Sequence, residues 1–186
     1  MMFSGYYGDE DRTRDAFTRD RFYRTGDIVR LETTSDGGRY VDVIGRAKSS
    51  IKMSNGKWVH PEALEDLYRT AAGVDAVFIH GDSSHSHLVA VVEATSNGSR
   101  SAEATAEGLV KSFAEIAAVA GTAAHERVRA VVLAQAPFSV AAGTLNGTGK
   151  LVRQKLRQLY EAPLSGALDR VELSMGLEDL EEGRSF

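Results

Sequence analysis

The chain predicts an α+β fold: a small domain in which helices cover an antiparallel or mixed sheet, preceded by a separate β-hairpin. Three observations carry this expectation. From Ser50 onward the segments alternate as β, α, β, β, α, β, α. Apolar residues recur at helical spacing at Leu64, Leu67 and Tyr68, and again at Leu109, Phe113 and Ile116. Ser35-Asp36-Gly37-Gly38 separates two β-rich runs in the manner of a hairpin turn.

The elements follow in order. The first twenty residues read as a polar turn and one short helix around Arg14-Asp15-Ala16-Phe17. The runs 22–31 and 39–45 are the strands of the first hairpin. A second, shorter hairpin joins Ser50-Ile51-Lys52-Met53 to Lys57-Trp58-Val59 through Ser54-Asn55-Gly56, where Asn and Gly tolerate positive φ. Pro61 suits a first helical turn, and Gly73 stops the helix. Strands are expected at 75–80 and 87–93, a flexible connector at Ser96-Asn97-Gly98-Ser99-Arg100, an Ala-rich helix up to Gly121, and a strand from Val128 to Leu133. A loop from Pro137 to Gly149 leads into a helix at 151–160, and Pro163 marks the expected end of packing. The acidic remainder, 163–186, reads as a linker or docking tail.

Bulk properties narrow the function classes. A length of 186 residues with 42% hydrophobic content buries at least one core. No run approaches the roughly 20 apolar residues that cross a bilayer, and the first residues lack the basic and apolar regions of a secretory signal. A soluble cytoplasmic protein is therefore expected. The absence of cysteine excludes disulfides and thiolate metal sites. A net charge of −4, with 22 basic residues scattered among 26 acidic ones, argues against a nucleic-acid binder. His80, His85 and His87 flank a polar Gly-Asp-Ser-Ser connection, and no metal site is expected of them.

Three segments carry chemistry. Tyr23-Arg24-Thr25-Gly26-Asp27 places a carboxylate at a glycine turn, where its two oxygens suit vicinal hydroxyls; read alone, it is more simply an ordinary turn. The segment from Gly45 to Lys57 gathers Arg46, Lys48, Lys52 and Lys57 around a hairpin, and an arginine fork among them suits phosphate or hydroxyl oxygens; read alone, it is equally an ordinary solvated basic hairpin. The third is Gly143-Thr144-Leu145-Asn146-Gly147-Thr148-Gly149-Lys150-Leu151. Its Gly-Lys ahead of a helix invites comparison with a nucleotide-binding loop. That reading fails, because Thr144 stands where the required glycine would be and Leu151 follows the lysine in place of Ser or Thr. What remains, read alone, is an ordinary helix-entry turn or a lysine displayed on a mobile glycine-rich loop that could reach into a site formed elsewhere.

Taken together, in order and spacing, these segments resemble the carboxyl-terminal motifs of the adenylate-forming superfamily, which includes acyl-CoA synthetases and peptide-synthetase adenylation domains. Gly5-Tyr6-Tyr7, Arg12-Thr13 and Ala16-Phe17 resemble the stretch just upstream. Ser54-Asn55-Gly56-Lys57-Trp58-Val59 looks most like long-chain acyl-CoA synthetases and carboxylic acid reductases. The resemblance implies that 1–46 is the end of a large N-terminal adenylation domain, 47–162 is a small mobile C-terminal domain, and 163–186 is the tail. It implies that Asp27 holds the ribose hydroxyls of ATP, that Arg46 contacts the nucleotide, and that Lys48 is the hinge. Lys150 would act in adenylation; Lys52 and Gly56 would face the adenylate after rotation and line the pantetheine tunnel.

The implied reactants are ATP with Mg2+, a carboxylic acid, and coenzyme A or a carrier-bound phosphopantetheine. The phosphate loop, adenine pocket and acid pocket belong to a preceding domain that these residues do not contain. The chain alone is accordingly expected to be inactive without that N-terminal domain or subunit. A non-catalytic module that docks on a carrier through the acidic tail is the alternative.

Overall fold

The computed structural model describes residues 3–95 and 105–182, so the connector placed at residues 96–100 lies outside the described residues. The chain divides into two compact units, Met1–Lys48 and Ser49–Phe186.

The first unit holds α1 (Glu10–Ala16), β1 (Asp27–Thr33) and β2 (Arg39–Arg46). Asp9 caps α1 by accepting from the Arg12 amide at 2.9 Å. Phe3, Phe17 and Tyr23 form an aromatic cluster in which Phe3 meets Tyr23 edge-on with centroids 5.2 Å apart. β1 and β2 pair antiparallel around the turn at Gly37, whose φ is +84°, and a bulge lies between Ile28 and Val29. Val29 faces Val43 and Leu31 faces Val41 across the ribbon, and all four are exposed. Among the described residues of this unit only Gly45 is buried.

The second unit is built on a three-stranded sheet of β5 (Val74–His80), β6 (Leu88–Ala94) and β7 (Val128–Leu133), in that order. β5 and β6 run antiparallel, β6 and β7 parallel, so the sheet is mixed. The period-two alternation of β6 explains the layering. Leu88, Ala90 and Val92 enter one apolar cluster, and Val89 and Val91 enter another on the opposite face.

The first cluster is covered by α2 (Pro61–Tyr68) and α3 (Ala106–Val119). Leu64 and Tyr68 point inward from α2; Leu109, Phe113 and Ala117 point inward from α3, with Tyr68 stacked on Phe113 at 4.6 Å. Ile116 is only partly buried, because the spacing of four selects Ala117 as the next inward position. β3 (Ile51–Lys52) and β4 (Trp58–Val59) form the short hairpin that adds Ile51, Met53 and Val59 to this core.

The second cluster is covered by α4 (Arg153–Leu159) and α5 (Glu161–Glu182), and here the structure corrects the sequence reading. Pro163 does not end the packed region. It lies in the first turn of α5, where a missing amide donor costs nothing. Leu164, Ala167 and Leu168 behind it are buried to 2%, 1% and 1% exposure against Phe78, Val89 and Val91. At least this part of the expected tail is core. Among the described residues no helix is long and apolar enough to cross a membrane.

Candidate functional site

In the first unit the structure brings Asp27 and Arg46 together. They are register partners at the ends of β1 and β2, and Arg46 Nε lies 2.7 Å from Asp27 Oδ1. The approach to Asp27 is a tight turn: Gly26 has φ +77°, its carbonyl accepts from the Ala47 amide at 2.8 Å, and the Asp27 amide donates to Thr25 Oγ1 at 3.1 Å. The Asp27 carboxylate thus projects from a fixed backbone with a guanidinium alongside it, an arrangement suited to hydroxyl donors next to an anionic group. Lys48 is exposed in the turn that ends this unit.

In the second unit the predicted lysines sit on two separate turns. Lys52 pairs with Trp58 across β3 and β4, and the alternation that buries Ile51 and Val59 leaves Lys52 and Trp58 facing outward. The tip closes through Gly56, with φ +77°; its amide donates to the Met53 carbonyl at 3.0 Å, and the Lys57 amide donates to Asn55 Oδ1 at 3.1 Å. A left-handed residue is needed there, which is why glycine fits. The Ser54 amide ties the tip to the His85 carbonyl at 3.0 Å. Gly81, in the same loop, has no room for a side chain: a Cβ there would stand 2.8 Å from Leu88 Cδ2.

Lys150 occupies a small hairpin rather than an open loop. Leu145 bridges Leu151, the Asn146 amide donates to the Lys150 carbonyl at 2.8 Å, and Gly149 has φ +76°. One side chain organises the turn. Asn146 Oδ1 accepts from the Lys150 amide at 2.9 Å, the Thr148 amide at 3.0 Å and the Thr148 hydroxyl at 2.8 Å. The Lys150 side chain stays exposed at the head of α4.

Two features escaped the sequence reading. Asn146 was visible as a residue but not as the staple of the turn. Glu65 and Arg153, 88 positions apart, form a two-pronged ion pair: Arg153 Nη1 donates to Oε1 at 2.9 Å and Nη2 to Oε2 at 2.5 Å. Glu65 Oε1 also accepts from the Ile79 amide at 2.8 Å. Burial pushes the Glu65 carboxyl above the usual carboxylate range, and the Arg153 fork opposes that shift. Only proximity in space reveals such a pair.

Near the amino end of α5, His87 is buried, with Nε2 3.1 Å from the Leu168 carbonyl and Nδ1 3.3 Å from Glu172 Oε2, within ion-pair distance but without a hydrogen bond. His85 Nδ1 lies 2.9 Å from Asp82 Oδ1. Among the described residues no group of three His, Asp or Glu side chains is placed to hold a metal ion.

No protein-family model matches the chain. It is 32% identical over 161 residues to the carboxylic acid reductase of Mycobacterium tuberculosis, a match that covers 86% of this chain and 13% of that protein. It is 30% identical over 187 residues to the peroxisomal acyl-CoA ligase 891 of Penicillium brevicompactum, covering 88% and 26% respectively. Among solved structures it resembles the A-PCP didomain of the carboxylic acid reductase from Segniliparus rugosus in complex with AMP, with a TM-score of 0.76 and 30% identity over 97% of this chain and 24% of that one. The chain spans about an eighth to a quarter of the length of these relatives. The chain belongs to the adenylate-forming superfamily and is homologous to a portion of its carboxylic acid reductases and acyl-CoA ligases.

Proposed function

We propose that this chain is the carboxyl-terminal part of an ATP-dependent enzyme that activates a carboxylic acid as its acyl-adenylate and passes the acyl group to a pantetheine thiol. The observation that carries the proposal is the Lys150 turn. Asn146 fixes its backbone while the ammonium group stays exposed at the head of α4, ready to enter a site formed elsewhere.

Attack of a carboxylate on the α-phosphate of ATP brings anionic oxygens together. Lys150 would offset the charge that develops there, and losing such a contact costs about a hundredfold or more in rate. Asp27 would receive the ribose hydroxyls through its two oxygens, with Arg46 beside it on the nucleotide. Magnesium accompanying ATP, the adenine and the acid would be held mainly by the amino-terminal domain.

Thioester formation needs different groups, because the thiol now attacks the carbonyl carbon of the acyl-adenylate and AMP leaves. In the proposed cycle, rotation at Lys48 withdraws Lys150 and presents the Lys52 hairpin, with Gly56 leaving space for the pantetheine arm. A carrier domain is the favoured thiol donor, since the Segniliparus relative carries a PCP beside its A domain.

The test uses the chain joined to its amino-terminal adenylation domain and measures the half-reactions separately. Lys150→Ala should slow acid-dependent exchange of pyrophosphate into ATP while sparing thioester formation from supplied acyl-adenylate. Lys52→Ala should do the reverse. Equal loss of both steps in Lys150→Ala would sink the assignment.

A further inference from the structure

Between the hinge turn at Lys48 and the Lys150 turn runs a chain of charged and hydroxyl groups that the proposed chemistry does not use directly. Ser49, the first residue of the second unit, donates its hydroxyl to Glu62 Oε1. Glu62 Oε1 lies 3.7 Å from Arg153 Nη2, which also engages Glu65 Oε2 at 2.5 Å. Ser50 Oγ lies 2.9 Å from His60 Nδ1, immediately before α2. Both acids belong to α2, which begins two residues after β4 ends, so α2 carries the Lys52 hairpin at its head. Arg153 begins α4, three residues after Lys150, and the intervening backbone is bonded through the Val152 amide to the Thr144 carbonyl at 2.8 Å.

We infer that Ser49, Glu62, Glu65 and Arg153 form a positioning network that locks the residue after the hinge turn, the Lys52 hairpin and the Lys150 turn into one rigid body. The inference rests on the function proposed above and extends it: rotation at Lys48 is then transmitted undiminished to both lysines. These are positioning residues, because each acts through the turn or hairpin that it braces.

A buried ion pair is a poor choice where stability alone is at stake. Taking both charges out of water is costly, and well-packed apolar side chains often hold two helices as firmly. A planar fork, however, fixes distance and angle at once, which apolar contacts do not. The arginine is anchored from three directions: by Glu65, by Glu62, and by the Phe78 ring, whose centroid is 5.8 Å from Cζ.

The test substitutes Arg153→Lys, which keeps the charge and removes the fork. In the chain itself, hydrogen exchange at the Lys150 and Val152 amides and at Ser49 should quicken by about tenfold, the scale of one lost charged hydrogen bond. Exchange that quickens only at the Ile79 amide, beside Glu65, would reduce the pair to a local contact and overturn the inference. Should Arg153→Lys fail to fold, Glu62→Gln supplies the same reading at Ser49 and Lys150.

In the completed enzyme Arg153→Lys should slow adenylation and thioester formation by similar factors, unlike Lys150→Ala. Loss of one step alone would overturn the network. A completed wild-type enzyme with neither activity would overturn the proposed function, whereas the exchange result would still decide whether the network exists.

Discussion

Asp27 and Arg46 meet as cross-strand partners at the ends of β1 and β2, Nε to Oδ1 2.7 Å, with the arginine side chain 60% exposed. With its arginine in solvent and Asp27 half-buried, such a pair contributes about 1 kcal/mol to stability. Under the proposed function, its position beside a glycine turn would serve nucleotide recognition rather than folding. Asp27→Asn should therefore leave urea unfolding of the chain within about 1 kcal/mol of wild type. In the completed enzyme the same change should raise the KM for ATP by at least about tenfold, through loss of a charged acceptor. Unchanged KM would remove Asp27 from the nucleotide site.

Asn146 organises the Lys150 turn through three hydrogen bonds to one oxygen. Asn146→Ala should slow adenylation by about tenfold or more while leaving thioester formation from acyl-adenylate untouched. Asn146→Asp, which retains the acceptor oxygen, should recover part of the loss. Single-turnover assays of each step provide the comparison.

The docking of α5 can be measured directly. Leu168 is 1% exposed beneath the sheet, so Leu168→Ala should cost about 2–5 kcal/mol in denaturant unfolding. A surface tail would tolerate the change. A cost below about 0.5 kcal/mol would contradict the buried placement of this helix.

His87 predicts a pH dependence with a definite sign. Burial holds its pKa below the usual 6.5, against the opposing influence of Glu172 and the Leu168 carbonyl, while His85 and Arg129 depress it further. Above pH 6.5 the ring is neutral in both states and its contribution is complete. As the pH falls through that value the unfolded chain takes up the proton first, and stability declines until the lowered folded value is reached. His80 is also lowered by burial and has the same sign. His85 has the opposite sign: burial lowers it, but the Asp82 hydrogen bond and charge raise it overall, so its contribution fades as pH rises. His87→Gln should flatten the fall in stability as the pH drops below 6.5 in denaturant titrations. An unchanged slope would exclude His87 as the source.

Local signals made most of the second unit legible. The strand from Val128 to Leu133 and the Asn55-Gly56 turn follow from period and turn chemistry, because those depend on neighbours in sequence. Pro163 misled for an equally local reason. Proline shortly after a helix normally marks a stop, yet here a second helix begins at Glu161 and accepts it in the first turn. The mixed pairing of β5, β6 and β7 was one of two expectations left open, since periodicity does not reveal strand direction. The Glu65–Arg153 fork was invisible, as no sequence pattern links positions 88 residues apart. Among the candidate residues, type and order were readable; what braces them was not.

The β1–β2 ribbon has a consequence for anyone handling this polypeptide. Val29, Leu31, Val41 and Val43 make a greasy stripe on two strands that, among the described residues, pair only with each other, and little there lies buried beneath it. Concentrated samples should self-associate through that stripe first, and a polypeptide beginning at Ser49 should remain dispersed at concentrations where the full chain turns cloudy. The ribbon is then the part of the polypeptide that limits how well the rest can be kept in solution.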